Sequence, residues 1–363
     1  NSDQTSYYRS SEVEAVIHKA LNYWFTAKPV CLNWWYNQIG VPKTLGTVFI
    51  LFEKQLTPVE KQNAITVMEN AKFGMTGQKV WLAGNVMMRA LLQNDYELVK
   101  MARDTIASEI VTGGAEGIKD DWCFHQHGAQ QQFGNYGLSF VSGMSFFSGL
   151  FSGTSLAFDD KQLSILSTLI DKGYRWVIWK GMMDVNALGR QLFHHAPVHK
   201  ALSLAFAASE LGGGESDECV AVATALLRDN YPAPAVNVLT GHKHFWQSDY
   251  TIHRRPSWMA SIKMASDRII GTEMMNGDNM KGYYMADGAT YIYKDSKEYL
   301  DIFPLWDWRK LPGVTAFEDN APMPLIKSYQ PRNKGTFVGA VSDEKQGMTV
   351  MELDRAGVKA HKA

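Results

Sequence analysis

Apolar positions recur at helical spacing through the first two thirds of the chain and change to alternation in the last third. Residues 8–27, YYRSSEVEAVIHKALNYWFT, predict a helix with Ser10 or Ser11 as its N-cap. Thr57-Pro58-Val59-Glu60 predicts another start: a hydroxyl cap, proline at the first helical position and glutamate at the third. Helical text continues at 79–93, 95–112, 139–151, 159–179, 198–211 and 216–228, joined by short connectors. Successive helices on short links pack antiparallel, and so many predict a helical array closed into a toroid. The stretch 31–46, CLNWWYNQIGVPKTLG, reads as aromatics and turn formers. Adjacent Trp34 and Trp35 cannot both face one core from a helix, so one of them sits near a surface or cleft.

After Tyr231-Pro232-Ala233-Pro234 the pattern alternates, in HKHFWQSDYTIH and in SWMASIKMA. GYYMA-DG-ATYIY, residues 282–293, predicts a two-residue Asp-Gly hairpin with strands on both sides. GTFVGAV and MTVMEL, near 335–341 and 348–353, predict a strand pair. The expected fold class is therefore α+β: a helical toroid domain over residues 1–235, then the start of an antiparallel β-sandwich domain over 236–363. AGVKAHKA follows directly on that strand pair, and a two-stranded ribbon is marginal alone, so the β region reads as truncated.

Composition narrows the classes. A hydrophobic fraction of 45% with 20% charged residues describes a globular chain, and a net charge of -1 argues against unspecific nucleic-acid binding. With 11 Trp, 15 Tyr and 17 Phe, aromatics stand out; much of that is core, but tryptophan beyond core needs often forms platforms for sugar rings. Cys31, Cys123 and Cys219 are too far apart and odd in number to outline a disulfide framework. The best candidate membrane span, Ser139 to Phe151, is short and broken by Ser and Gly, so no membrane partner is expected. No charged-then-apolar leader opens the chain, and its start at Asn1 reads as a processed or trimmed end.

Candidate chemistry centres on DDWCFHQHGAQQQFGNYGLS, residues 120–139, a polar glycine-rich stretch between apolar helical segments. His127 and Tyr136 offer a proton-transfer pair there. His195 and His199 have i, i+4 spacing, but Pro197 intervenes and no glutamate follows as a zinc protease requires. His125 and His127 would point to opposite sides of a strand. No phosphate loop, GxSxG elbow or dinucleotide fingerprint is present. Asp120-Asp121, Asp159-Asp160 and Glu273 keep a toroidal glycoside hydrolase in view, with Asp121 and Glu273 as its carboxyl pair; Asp159-Asp160 also reads as a helix cap. A non-catalytic sugar-binding fragment is the third reading.

QHGxQxQxxxYG, then Asn186-Ala-Leu-Gly-Arg190, then Arg268 to Glu273 as RxxGxE, occur in one order with Asn33-Trp-Trp35 upstream and GHKHFWQSDYTIHRRP at 241–256. Together they resemble the family of hyaluronate, chondroitin AC and xanthan lyases, chondroitin AC lyases most of all. The resemblance implies an incomplete α/α toroid followed by antiparallel β-sandwich domains, in enzymes longer than 363 residues that are secreted or periplasmic. It implies β-elimination on chondroitin sulfate or hyaluronan, a monomer, and no cofactor for catalysis, with room for a structural calcium. Tyr136 would remove the uronate C5 proton and return one to the leaving glycosidic oxygen. His127 would hold the uronate carboxylate, Arg190 would favour the tyrosinate, and Glu273 would orient this group. Trp34 and Trp35 would stack on the sugar chain, with Asn276, His194 and Arg254 among the substrate-binding groups.

Two positions depart from the pattern. Where the family places an asparagine after Thr-Gly, Thr76-Gly77 is followed by Gln78, which keeps the amide on a longer arm; Asn85 is the fallback. A family arginine one turn after Arg190 is here His194.

These residue types suit elimination. The C5 proton is barely acidic while its carboxylate is ionised, and amide or imidazole donors let the developing charge spread onto the oxygens. One preorganised donor contributes about 3–4 kcal/mol in such a transition state. A tyrosine base holds its proton to about pH 10 unless a guanidinium beside it favours the phenolate. Glutamate would then grip that guanidinium through its fork. Histidine as base with tyrosine as acid is the competing assignment.

Overall fold

Ser10 caps the first helix through its hydroxyl, which accepts from the backbone N–H of Val13. The computed structural model describes residues 5, 7–74, 78–211, 239–295, 297–318, 320–327 and 329–363. These fall into two compact units, residues 1–109 and 110–363. The expected helix at 216–228 and the expected boundary near 235 lie outside the described residues.

In the first unit, α1 (Ser11–Ala27), α2 (Val41–Leu51), α3 (Pro58–Met68), α4 (Lys79–Gln93) and α5 (Tyr96–Ala107) pack on one another. The cap of α3 forms as its sequence predicts: Thr57 Oγ accepts from Glu60 N and the Glu60 carboxylate accepts from Thr57 N. That reciprocal pairing satisfies two otherwise orphaned donors. Leu21, Phe25, Phe49, Ala64, Met68 and Leu92 form the unit's core. The turn-rich stretch before α2 is more regular than expected. Tyr36–Gly40 forms a π-turn that runs straight into α2, with Pro42 in the first helical turn, where its missing N–H costs little.

The second unit opens with the small hairpin β1 (Gly117–Ile118) and β2 (Phe124–His125), then a π-turn at Phe133–Gly137 that leads into α6 (Leu138–Phe151). The helix expected over 159–179 is shorter. It is α7 (Asp160–Thr168), followed by a π-turn to Gly173 and a 3-10 turn over Tyr174–Val177. At Gly173 a Cβ would lie 2.3 Å from the Trp122 carbonyl oxygen, so the chain passes too close for a regular side-chain-bearing turn. A short hairpin, β3 (Ile178–Trp179) and β4 (Met182–Met183), precedes α8 (Ala196–Glu210), which packs on α6 through Ser145 Oγ donating to the Ala207 carbonyl.

Two antiparallel sheets follow. One is ordered β5 (Gly241–Phe245), β6 (Tyr250–Arg255), β7 (Trp258–Lys263), β8 (Ala289–Tyr293). The other places β10 (Gly347–Arg355) between β9 (Val338–Ser342) and β11 (Val358–Lys362). Helices followed by antiparallel sheet are thus as the patterning predicts.

One strand expectation is corrected and another, the strand pair near the end, is borne out and extended. Asp287-Gly288 does not close a hairpin: Gly282–Tyr284 is a 3-10 turn, and β8 pairs with β7. Asp287 is buried as the partner of Arg355 at 2.5 Å, while Arg355 donates to the Tyr283 carbonyl and lies over its ring. Those long-range contacts hold the tyrosines away from a strand. The strand pair near the end is also joined by a third strand. Ala356 and Gly357, both at positive φ (50° and 80°), turn β10 into β11, the loop conformation that matches strand twist.

Candidate active site

Three consecutive glutamines build the floor of the site. In extended chain, alternate side chains point to opposite sides, and here Gln130 and Gln132 donate to Glu273 at 3.1 and 3.2 Å while Gln131 accepts from buried Lys263 at 3.3 Å. Glu273 is only 1% exposed. It also faces His127 Nδ1 at 2.7 Å and accepts from Arg190 Nη1. Burial pushes its carboxyl up, but the His127 bond and the charges of His127 and Arg190 outweigh that and hold it below the usual carboxylate range.

Tyr136 hangs from the π-turn. Its hydroxyl accepts from Arg190 Nη2 at 3.3 Å, the guanidinium carbon lies 5.4 Å from its ring centre, and the His127 ring meets it edge-on at 4.8 Å. Gly134 allows this approach: a Cβ there would lie 2.8 Å from the Ala187 oxygen and the Leu188 Cα. Lys200 of α8 donates to the Gly134 carbonyl and to Gln191 Oε1, tying the π-turn down. Burial, with the Arg190 charge, lowers its ammonium to about 8. Arg190 itself is pulled down by burial, but its bonds to Tyr136 and Glu273 prevail and raise it. Its Nε faces Asp278 at 3.5 Å.

A second buried layer supports this one. Asp184, fully buried, accepts from the hydroxyls of Tyr250, Tyr293 and Ser261. Asn186 donates to Ser261 Oγ and to the Ala289 carbonyl, both at 3.0 Å. The segment carrying Arg190 is thereby fastened to the four-stranded sheet.

His127, Tyr136, Arg190 and Glu273 are therefore brought together, from positions up to 146 residues apart. His125, as expected, turns elsewhere: its Nε2 lies 2.8 Å from Ser248 Oγ, and burial lowers its imidazole to about 3. Asn276, at φ 55°, is exposed in the turn closed by the Met275–Asp278 bridge. His194 is exposed and pairs with Asp301 at 2.7 Å.

Arg254 is a correction. It is 2% exposed, lies over the Trp179 ring, and gives its donors to the carbonyls of Leu239, Arg175, Trp176 and Ile178. That is a structural cation, not a group that reaches a ligand; Arg255 likewise donates to the carbonyls of Arg254 and Lys345. Arg268, of the RxxGxE motif, donates to the Thr336 carbonyl. Asp121 accepts from the backbone N–H groups of Cys123 and Gln247. Burial raises its carboxyl. Asp159 is the cap of α7, accepting from Gln162 N.

The first unit carries its own candidates. Trp34 is 42% exposed, and half-buried Trp35 meets Tyr36 and Trp81 edge-on, with Lys43 over the Trp81 ring at 5.8 Å. Gln78 is the N-cap residue of α4, and its Oε1 is buried without a hydrogen-bond partner among the described residues. Asn85 is not available as its fallback: it is buried and donates to the Ile39 carbonyl.

Lys200, Asp278 and Tyr329 are not singled out by sequence reasoning. Tyr329 lies with its ring 5.7 Å from His127 and 42% exposed. Nothing local in the sequence marks it, whereas Asp278 lies five residues past Glu273, next to the RxxGxE motif.

Comparison with known proteins agrees with the fold. Residues 1–209 match the polysaccharide lyase family 8 N-terminal alpha-helical domain, and residues 240–363 match the super-sandwich domain of the same family. Chondroitinase-AC of Pedobacter heparinus is 30% identical over 98% of this chain and 52% of its own length. Xanthan lyase of a Bacillus species, strain GL1, is 26% identical over 86% of this chain and 38% of its own. A solved chondroitinase AC lyase superposes with a TM-score of 0.87 at 28% identity, over 99% of this chain and 54% of that one. The Streptomyces coelicolor A3 chondroitin AC lyase shares the fold, with a TM-score of 0.86 at 22% identity over 99% of this chain and 57% of that one. The chain thus spans about half the length of the relatives it matches. With both of the family's domain models matched in order along it, the chain belongs to polysaccharide lyase family 8.

Proposed function

We propose that this protein cleaves a uronate-containing glycosaminoglycan, chondroitin sulfate or hyaluronan, by β-elimination. The observation that carries the reading is the Arg190 guanidinium, pinned by Glu273 and donating to the Tyr136 hydroxyl at 3.3 Å. A cation beside the phenol oxygen stabilises its charged form. Tyr136 then takes the C5 proton, the C4–O bond breaks, and the same hydroxyl returns a proton to the leaving oxygen. His127, with Nδ1 directed to Glu273, presents Nε2 to the substrate carboxylate. In the family's pattern Gln78 stands at the position of an amide donor to the uronate carboxylate, Trp34 and Trp35 at that of an aromatic patch for sugar rings, and His194 and Asn276 at positions that contact the chain. Each of these roles follows the family resemblance. The similarity of named chondroitinase, hyaluronate and xanthan lyases supports the substrate class. A secreted or periplasmic, monomeric enzyme belongs to the same proposal. None of the described helices is long and apolar enough to cross a membrane.

Hydrolysis by Asp121 and Glu273 is less well supported. A glycosidase pairs a carboxylic acid of raised pKa with a second carboxylate across the scissile bond; burial raises the Asp121 carboxyl, but its oxygens accept from the backbone N–H groups of Cys123 and Gln247, and Glu273 is taken up by His127 and Arg190.

The test is ultraviolet absorbance of the conjugated product on incubation with chondroitin and with hyaluronan. The chain should generate signal and Tyr136→Phe should lose it while still binding oligosaccharide. Reducing ends without absorbance would establish hydrolysis instead; binding without either would leave a carbohydrate-binding protein.

A further inference from the structure

His194, His195 and Asp301 form a cluster that takes no part in the proton transfers of the proposed elimination, although His194 is also among the residues proposed to contact the chain. Neighbours in sequence usually diverge, yet His195 adopts φ 57° and its ring stands 3.7 Å, centre to centre, from that of His194. Both rings aim Nδ1 at one carboxylate: His194 at 2.7 Å from Asp301 Oδ1 and His195 at 3.5 Å from Oδ2. Asp301 comes from a turn 106 residues away, itself at φ 56°, and its Oδ1 also accepts the His195 backbone N–H at 3.0 Å. One nitrogen from each histidine and one carboxylate oxygen lie within 4.8 Å of one another.

We propose that these three residues bind a divalent transition-metal ion of the zinc class. Two imidazoles and a carboxylate are its ordinary donors. Tetrahedral zinc with bonds near 2.0–2.1 Å wants its ligand atoms about 3.3 Å apart, so only small side-chain rotations are required. Those rotations are open, because His194, His195 and Asp301 side chains are 72, 42 and 30% exposed. The positive end of α8 opposes a cation here, and the Asp301 carboxylate, already at that helix start, offsets it. Three protein ligands leave one coordination position for water or for an anionic group of a ligand.

Purified 363-residue chain, stripped with chelator, would be titrated with Zn²⁺ by calorimetry and with Co²⁺ by visible absorption. One equivalent should bind. His194→Ala and Asp301→Asn should each weaken affinity by more than the roughly tenfold cost of losing even an outer-shell partner, whereas His253→Ala should not. Circular dichroism checks that each variant is folded, and Asp301→Asn preserves shape if His194→Ala does not. No stoichiometric binding, or binding that survives both substitutions, would overturn the site.

Discussion

Glu273, itself almost closed to water, accepts from His127, Gln130, Gln132 and Arg190. Its removal leaves a buried guanidinium without its carboxylate, and breaking such a pair costs about 3–5 kcal/mol. Glu273→Ala should therefore unfold at clearly lower urea concentration, and Arg190→Ala should behave alike. The double variant should lose less than the sum of the two, because the second change no longer strands a charge; simple additivity would mean that the pair is not coupled. His125 makes a separate prediction. Its folded value of about 3 lies below the ordinary 6.5, so between those values the unfolded chain holds a proton that the folded chain does not. Stability should rise with pH across that window and fall on acidification. Between pH 6.5 and 5 the loss from this residue should be roughly 1–2 kcal/mol. Urea midpoints of His125→Gln should change less over that interval than those of the parent chain. His127, Tyr136, Arg190 and Glu273 were legible in sequence as an ordered motif set that includes Gln130 and Gln132, but the part those glutamines play in holding Glu273, and Lys200 altogether, were not. Their contacts are made to distant segments, for which neighbouring residues carry no signal.

Local chemistry predicted the elements best where an element's limits are set by adjacent residues. Ser10, Thr57 and Asp159 cap helices because each hydroxyl or carboxylate reaches an N–H three residues on. Thr57→Ala should accordingly cost about 1 kcal/mol in thermal or urea melts. The Asp287-Gly288 hairpin failed for the opposite reason, since a buried pairing with Arg355 outweighs turn preference. The π-turn that bears Tyr136 depends on Gly134 lying against Ala187 and Leu188. Gly134→Ala should displace that turn and reduce turnover by tenfold or more, a loss corresponding to about 1.4 kcal/mol of barrier. Steady-state kinetics should place the effect in kcat rather than in substrate affinity.

For the molecule as a whole, substrate length is the informative variable. Trp34 is exposed on the first unit, and an aromatic platform contributes in proportion to the rings it covers. Trp34→Ala should raise KM for long chondroitin or hyaluronan chains more than for tetrasaccharides, and equal losses would count against stacking. The sequence alone determined the helical region followed by antiparallel sheet, the principal caps, and the family. Those rest on periodicity, short-range hydrogen bonding and motifs in order along the chain. Only the tertiary structure decided that Arg254 is an internal cation, that Asn85 is held by Ile39, and that Glu273 joins His127 to Arg190. Burial and the pairing of charges are properties of segments brought together from 46 to 146 residues apart, and no local pattern encodes which partner each charge will meet.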